Sequence, residues 1–193
     1  MRSRGKTPLK PKLPALGVLL AAMPAAAMDL ETVEFSDSDG GYVLTMSARL
    51  DASVDRVFAI LTDYGRLAEL HDTILESRVI AEPAAGTTDV YTRIRGCVML
   101  FCRELQRTER VRTLAPEFVE AVILPETGDF DAGVVRWDLR GLPGGRTHVD
   151  YVAEVQPRFW VPPVVGKRLL SKAMRKTTGE LFVAVEARAR EVR

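Results

Sequence analysis

Alternation of apolar and polar residues dominates the chain after residue 40 and predicts an antiparallel sheet. "GYVLTMSARL" (41–50) places every second residue on one apolar face, which is the pattern of a half-buried strand. The same period recurs between residues 74 and 156, interrupted by turn-forming segments rich in Gly, Pro and Asp. We predict about seven strands, at 41–50, 74–82, 88–98, 102–114, 118–124, 133–140 and 146–156.

Helical spacing of apolar residues follows the first predicted strand. Ser53 is a favourable N-cap, and Val57 and Phe58 belong to an apolar stripe with the period of a helix. Gly65 ends this helix, and a short second helix is predicted over 66–70. Two short helices therefore precede the long run of strands.

The C-terminal stretch predicts one long helix that begins near Pro162 or Pro163, since proline fits the first helical turn. Its apolar face is expected to include Met174, Thr177, Leu181 and Val185, which are spaced three or four residues apart. A curved antiparallel sheet with this helix across its concave face would bury both apolar surfaces. The predicted fold class is therefore α+β.

The first 27 residues have the organisation of a secretory signal peptide. Five basic residues and no acidic residue open the chain, and a run rich in Leu and Ala follows, ending in Ala25 and Ala27. Pro24 interrupts this run, which is shorter than the ~20 residues that a membrane-spanning helix needs. We predict cleavage after Ala27 and a periplasmic protein with residues 28–40 as a lead-in, the alternative being an uncleaved membrane anchor.

Composition narrows the range of functions. Removal of residues 1–27 would leave 22 basic and 26 acidic residues, a net charge of −4, so no nucleic-acid partner is expected. The only histidines, His71 and His148, are far apart in sequence, and we expect no metal site and no cofactor. We interpret His148 as an ordinary surface residue of the outer sheet face. The chain contains no Gly-x-Ser-x-Gly motif, and no catalytic residue is assigned.

The segment "RGCVMLFCRE" (95–104) contains both cysteines of the chain. In an extended strand Cys97 and Cys102 would lie roughly 16 Å apart on opposite faces. A turn between them would instead bring them within the Cα distance of a disulfide and would place Arg95 opposite Glu104. We predict a Cys97–Cys102 disulfide, with two free thiols as the open alternative. The turn would present an apolar tip formed by Met99, Leu100 and Phe101.

Three further segments carry a family resemblance. "VDRVFAILTDYGRLAEL", "GDFDAGVVRWDLRGLPGGRTHVDY" and "VQPRFWVPPVVGKRLL" resemble the first helices, the late hairpin and the entry to the last helix of the START-like SRPBCC superfamily. Its polyketide cyclase/dehydrase and lipid-transport members are the most similar, and coenzyme-Q-binding proteins are related to them. The resemblance covers residues 41–193. It implies a helix-grip fold whose cavity, between sheet and long helix, holds an apolar small molecule such as a lipid, isoprenoid or quinone.

Strand alternation then assigns residues to this cavity. In the hairpin register above, Ile94 opposes Leu105 and Thr92 opposes Arg107. If Ile94 and Leu105 point inward, Arg107 and Glu109 do so too and can orient the polar end of a ligand. The alternative is that twist or a bulge turns these two charges to solvent. The candidate ligand-binding residues are Phe58, Ile94, Leu105, Arg107, Glu109, Val135, Trp137, Tyr151 and Met174.

Phe159 and Trp160 precede the long helix, where we expect them to form the cavity entrance, to touch a membrane surface transiently, or simply to pack over the end of the sheet. Three functions remain open. We favour an exported carrier or binding protein for an apolar molecule. The alternatives are a cyclase- or dehydratase-type enzyme that uses Arg107 with Glu109 or Tyr151 for proton transfer, and a module that binds a membrane or another protein.

Overall fold

The computed structural model describes residues 28–38, 41–98, 101–125, 127–161 and 166–191. Within them, one antiparallel sheet is built from β1 (Asp29–Ser38), β2 (Gly41–Leu50), β3 (Ile74–Ala84), β4 (Thr87–Val98), β5 (Phe101–Leu114), β6 (Phe118–Ile123), β7 (Phe130–Leu142) and β8 (Arg146–Pro157). The strand order is β1-β2-β8-β7-β6-β5-β4-β3. The helices are α1 (Val54–Thr62), a 3-10 helix (Leu67–Glu69) and α2 (Gly166–Glu191). The predicted α+β helix-grip fold is confirmed.

The sheet has eight strands rather than seven, because β1 lies inside the stretch 28–40 that was expected to be only a lead-in. β1 pairs antiparallel with β2 along its length, from Asp29 to Ser38. Its register shifts between Leu30 and Thr32, so the apolar residues of β1 do not keep a period of two. This irregularity is the reason why the alternation pattern did not reveal the strand.

The main core lies between the inner face of the sheet, α1 and the second half of α2. Alternate residues of the central strands supply most of it, as expected for a sheet with one buried face. Its most deeply buried side chains are Leu44, Met46, Leu50, Val57, Val149, Phe182 and Val185. The positions of these residues follow the predicted strand and helix periods for β2, β8 and α1.

The buried face of α2 includes Val185 as expected, but before that residue it is shifted by one position from the expected face. Thr178, Phe182 and Val185 are buried, whereas Thr177 and Leu181 keep part of their surface exposed. Both stripes repeat every three or four residues, and Phe182 lies on the inward side because it packs on the aromatic residues of β7 and β8. The expected helix start at Pro162 or Pro163 lies outside the described residues, as do Met99 and Leu100 and the predicted signal peptide.

His148 is not an ordinary surface residue. Its side chain is 16% exposed, with Nδ1 3.1 Å from Glu31 of β1 and Nε2 3.1 Å from Asp150 of β8. The prediction was wrong because it did not include β1, whose Glu31 approaches the histidine ring. None of the described helices combines the length and the hydropathy of a membrane span.

Candidate functional site

The β4–β5 hairpin positions the candidate site, and its predicted register is confirmed. Cys97 and Cys102 are directly opposed, with Cα atoms 4.1 Å apart, and form a disulfide. Arg95 opposes Glu104, and their Nη2 and Oε1 atoms lie 3.3 Å apart. The disulfide therefore links the two strands covalently near the tip of the hairpin, at the end of β4 and the start of β5.

The same register places charged residues on the inner face. Thr92 opposes Arg107, and Ile94 opposes Leu105, with no register shift along the pair of strands. The side chain of Glu109 is 7% exposed and that of Arg107 is 18% exposed. The alternative, in which twist or a bulge turns both charges to solvent, is wrong.

Arg107 and Glu109 form a polar cluster with a tyrosine of β8. Arg107 Nε lies 3.1 Å from Glu109 Oε1. Burial raises the pKa of Tyr151 to about 12, although the positive charge of Arg107 and a hydrogen bond with Thr178 act in the opposite direction. Tyr151 is therefore a neutral phenol at physiological pH. Although β7 and β6 separate its strand from β5, it is near enough to interact electrostatically with both Arg107 and Glu109.

Apolar residues flank this polar cluster on both sides. Trp137 belongs to the main core, while Leu105, Ile123 and Phe130 form a second, separate apolar cluster. The Arg107 guanidinium carbon lies 5.8 Å from the centre of the Phe130 ring, so the polar cluster reaches the second apolar one. Four of the candidate wall residues are only partly buried, namely Phe58, Ile94, Val135 and Met174.

The first half of α2 is less buried than the second half. Among residues 167–177 every side chain is at least partly exposed, including the apolar Leu169, Leu170 and Met174. Thr178 and the residues of the same face after it are buried. Met174 precedes Thr178 by about one helical turn, and Thr178 hydrogen-bonds to Tyr151 of the polar cluster. The helix therefore changes from partly exposed to closely packed beside this cluster. The inner sheet face is therefore less tightly covered on that side.

Phe159 and Trp160 follow the end of β8. Phe159 is partly buried, packs against the second apolar cluster, and has the Arg103 guanidinium carbon 4.9 Å from its ring centre. Trp160 is 78% exposed. The pair thus lies at the disulfide end of the β4–β5 hairpin, and its role as an entrance stays a prediction.

Three residues of the site were missed as candidates. Thr92 is 5% exposed and opposes Arg107, which its place in the predicted register already indicated. Thr178 and Phe182 belong to the α2 face that helical spacing alone did not single out. The sequence did contain an indication of them, because Thr178, Phe182 and Val185 are spaced so that they lie on one face of a helix, just as the expected residues are.

The described part of the chain holds no group of three or more His, Cys, Asp or Glu residues that could bind a metal ion. A surface groove of about 510 Å³ lies between α1, the 3-10 helix and the end of α2. Five of its eight lining residues are charged, and Arg66 and Arg188 both pair with Glu69 there, so the groove is a poor match for an apolar ligand.

Comparison with known proteins supports this description of the fold. A model of the family described as polyketide cyclase/dehydrase and lipid transport matches residues 50–182. The match begins at the end of β2 and ends at Phe182, and it includes the β4–β5 hairpin and Tyr151. No curated protein matches the chain significantly.

Solved structures with the same fold share little sequence with this chain. The Zhui aromatase/cyclase from Streptomyces sp. R1128 is 16% identical with a TM-score of 0.66, over 79% of this chain and 96% of that one. A START superfamily protein from Mycobacterium smegmatis is 15% identical with a TM-score of 0.64, over 78% and 99%. A STAR-related lipid transfer protein from Xanthomonas axonopodis is 12% identical with a TM-score of 0.56, over 83% and 100%. At these identities the likeness shows the fold alone.

Proposed function

Since this chain belongs to the polyketide cyclase/dehydrase and lipid transport family, we propose that it is an exported protein that binds or carries an apolar small molecule between the sheet and α2. The ligand is a lipid, an isoprenoid or a quinone-like molecule. The observation that carries the proposal is the incomplete burial of apolar side chains on both walls, with Ile94 and Val135 on the sheet and Met174 on the helix. Apolar surface left accessible in a concave region is the usual property of a small-molecule site.

Export is supported by two independent features. The sequence of residues 1–27 has the basic start, apolar run and Ala-x-Ala end of a signal peptide. The Cys97–Cys102 disulfide is of a kind that persists in oxidising compartments such as the bacterial periplasm and is rare in the cytosol. A periplasmic carrier would shield its apolar ligand from water between two membranes.

The test is native mass spectrometry of the full-length protein expressed in a bacterium and purified from its periplasm. Val135→Phe adds bulk on the inner face, and Val134→Phe adds the same bulk on the outer face of the same strand. We expect a bound apolar molecule of defined mass in the wild type and in Val134→Phe, and a lower occupancy in Val135→Phe. An empty wild type, or equal occupancy in the two folded variants, would contradict the proposal.

A second candidate function is an enzyme that acts on an apolar substrate in the same site. It is favoured by the buried carboxylate of Glu109, which lies close to Arg107 and Tyr151 in surroundings suited to proton transfer. If this candidate is correct, Glu109→Gln abolishes turnover of the co-purified ligand and leaves its binding intact. If the protein is a carrier, the extracted ligand is recovered unchanged from both proteins.

Contact with a membrane surface would give the carrier access to its ligand. We propose that Trp160 makes this contact, because an indole ring combines an apolar body with a polar N–H group and favours the membrane–water interface. Its 78% exposure contrasts with the partial burial of its neighbour Phe159. The contact is transient in this proposal, since a single side chain inserts little apolar surface.

A further inference from the structure

Three buried polar atoms of the candidate site have no hydrogen-bond partner among the described residues. They are Thr92 Oγ1, Arg107 Nε and Glu109 Oε1. Thr92 and Glu109 are only 5% and 6% exposed. An unpartnered polar atom in a protein interior is costly and uncommon, and in a binding site the ligand supplies the missing partner.

All three atoms belong to one place on the inner face. Thr92 is the direct cross-strand neighbour of Arg107, and Glu109 is the next inward residue of β5. Arg107 Nε and Glu109 Oε1 are 3.1 Å apart, yet neither takes part in a hydrogen bond, so the two charges are close without satisfying each other. Their hydrogen-bonding capacity remains available to a third group.

The surroundings limit what that third group can be attached to. Leu105 is the inward neighbour of Arg107 on β5 and Phe130 of the same apolar cluster lies beside the guanidinium, while Tyr151, which packs on Trp137, is near enough to interact with both charges. Tyr151 already has a partner in Thr178. A ligand that reaches the three atoms must therefore be apolar along most of its length and polar at one end.

Resting on the proposed function, we propose that Thr92, Arg107 and Glu109 bind the polar end of the ligand and that this end is an uncharged hydroxyl group. A hydroxyl donates one hydrogen bond and accepts others, so it can donate to Glu109 Oε1 and accept from Arg107 Nε–H. The Thr92 hydroxyl can serve as donor or acceptor to the same oxygen. An ether or carbonyl oxygen can only accept, and a thiol offers both roles only weakly.

The charge of the cluster excludes ionic headgroups. Arg107 and Glu109 together carry no net charge, and neither has a second ion-pair partner among the described residues. A phosphate or carboxylate bound at this point would lie next to the Glu109 carboxylate, and an ammonium group would lie next to the Arg107 guanidinium. In a site of low polarity either approach is opposed by like-charge repulsion that water screens only weakly.

Four ten-carbon probes test the proposal: 1-decanol, decyl methyl ether, decanoate and decylammonium. Trp137 packs on Tyr151, which interacts with the Arg107–Glu109 pair, and it is one of two tryptophans in the chain, so in a Trp160→Phe background the tryptophan fluorescence that follows binding comes from Trp137. At pH 7.5 we expect 1-decanol to bind at least about tenfold more tightly than each other probe, the equivalent of one hydrogen bond to a charged group.

Variants of Arg107 and of Glu109 should change the order of the four probe affinities in opposite directions. Glu109→Gln leaves the site with a positive charge and should favour decanoate, whereas Arg107→Gln leaves a negative charge and should favour decylammonium. Glu104→Gln, on the outer face of the same strand, is the matched control and should keep the wild-type order. The double variant Arg107→Met/Glu109→Leu removes both buried charges together, and should fold, bind both uncharged probes and lose the preference for the alcohol.

Equal affinity of the wild type for 1-decanol and decyl methyl ether would overturn the proposal while leaving the proposed apolar site in place. Decanoate binding most tightly to the wild type would also overturn it, by showing that Arg107 selects an anion. If none of the four probes binds, the proposed function itself is contradicted and this inference with it. The three results are distinguishable in one set of titrations.

Discussion

Trp137 of β7 and Tyr151 of β8 are direct cross-strand neighbours whose ring centres lie 4.6 Å apart, edge to face. Phe182 of α2 completes the group, at 5.0 Å from the Trp137 ring and 5.7 Å from the Tyr151 ring. This aromatic group joins the helix to the centre of the sheet. It lies beside the polar cluster of the candidate site, so the same contact that holds the fold together also shapes one wall of the site.

Replacement of Phe182 by alanine should cost about 3–5 kcal/mol of unfolding free energy, because the ring is fully buried and the space it leaves would collapse only partly. Urea unfolding followed by far-UV circular dichroism measures this loss. Val183→Ala is the matched control, since Val183 is 52% exposed and its truncation should change stability by less than about 0.5 kcal/mol. Equal losses would contradict the anchoring role of Phe182.

The Cys97–Cys102 disulfide should lower the mass of the unreduced protein by two hydrogens. Cys97→Ser/Cys102→Ser should lose about 2 kcal/mol of stability, the chain-entropy expectation for a loop closed over a sequence separation of 5. Wild-type protein unfolded in the presence of reductant should match the variant. An unchanged mass on reduction would show that the thiols are free.

Glu120, on the outer face of the sheet, should contribute stability that depends on pH. Hydrogen bonds from Arg112 and then Arg136 hold the pKa of its carboxyl below the usual range, despite burial. Folding therefore favours the ionised form, and this contribution is complete above the unfolded pKa of about 4.3 and is lost as the pH falls through the folded pKa.

Glu120→Gln should accordingly cost about 1–2 kcal/mol at pH 7, since both guanidinium groups remain partly in water. The difference from the wild type should shrink as the pH is lowered from about 5 towards 2, because Glu120 then becomes protonated. Urea titrations at several pH values measure this. Glu117→Gln, at an exposed position, serves as the control. A difference that does not vary with pH would contradict the ionic origin.

Gly179 offers a stabilising substitution. It lies inside α2, and a Cβ atom built there would meet nothing within 4 Å. Gly179→Ala should raise the unfolding free energy by about 0.5–1 kcal/mol, because alanine loses less backbone freedom on forming a helix. Thermal unfolding would show this as a higher midpoint, and an unchanged or lower midpoint would contradict the expected geometry.

Gly128→Ala should have the opposite effect. The added Cβ would overlap the carbonyl oxygen of Gln106, so the loop before β7 would have to move away from β5. We expect a loss of more than about 1 kcal/mol. Comparison of the two glycine variants by thermal unfolding separates the intrinsic helix preference from a close backbone contact. An unchanged midpoint would show that the loop accommodates the methyl group.

Trp160→Ser should weaken the association of the protein with vesicles of phosphatidylethanolamine and phosphatidylglycerol by at least about fivefold. This corresponds to losing roughly 1 kcal/mol of binding free energy, because the apolar indole ring no longer inserts into the membrane surface. Co-flotation in a density gradient measures the bound fraction. Leu114→Ser is the matched control, because Leu114 is 66% exposed at the opposite end of β5. Equal effects of the two variants would contradict a specific contact through Trp160.

Local pattern was sufficient for much of the fold. Seven of the strands alternate cleanly enough to be located, and the β4–β5 register followed from the cysteine pair and from the Arg95–Glu104 charge pair. Once that register is known, Thr92, Arg107 and Glu109 must share a face with Ile94 and Leu105, because strand side chains alternate strictly. The sequence by itself therefore determined which residues lie together on the hairpin.

Tertiary structure decided the features for which the sequence pattern allowed more than one arrangement. The face of α2 depended on which of two stripes met the aromatic residues of the sheet, and Phe182 is held there by Trp137 and Tyr151, which are distant in sequence. β1 became visible only through its pairing with β2, since its bulge breaks the period. Burial of the Arg107–Glu109 pair likewise required the helix and the neighbouring strands, because exposure is a property of everything packed around a residue and not of its own segment.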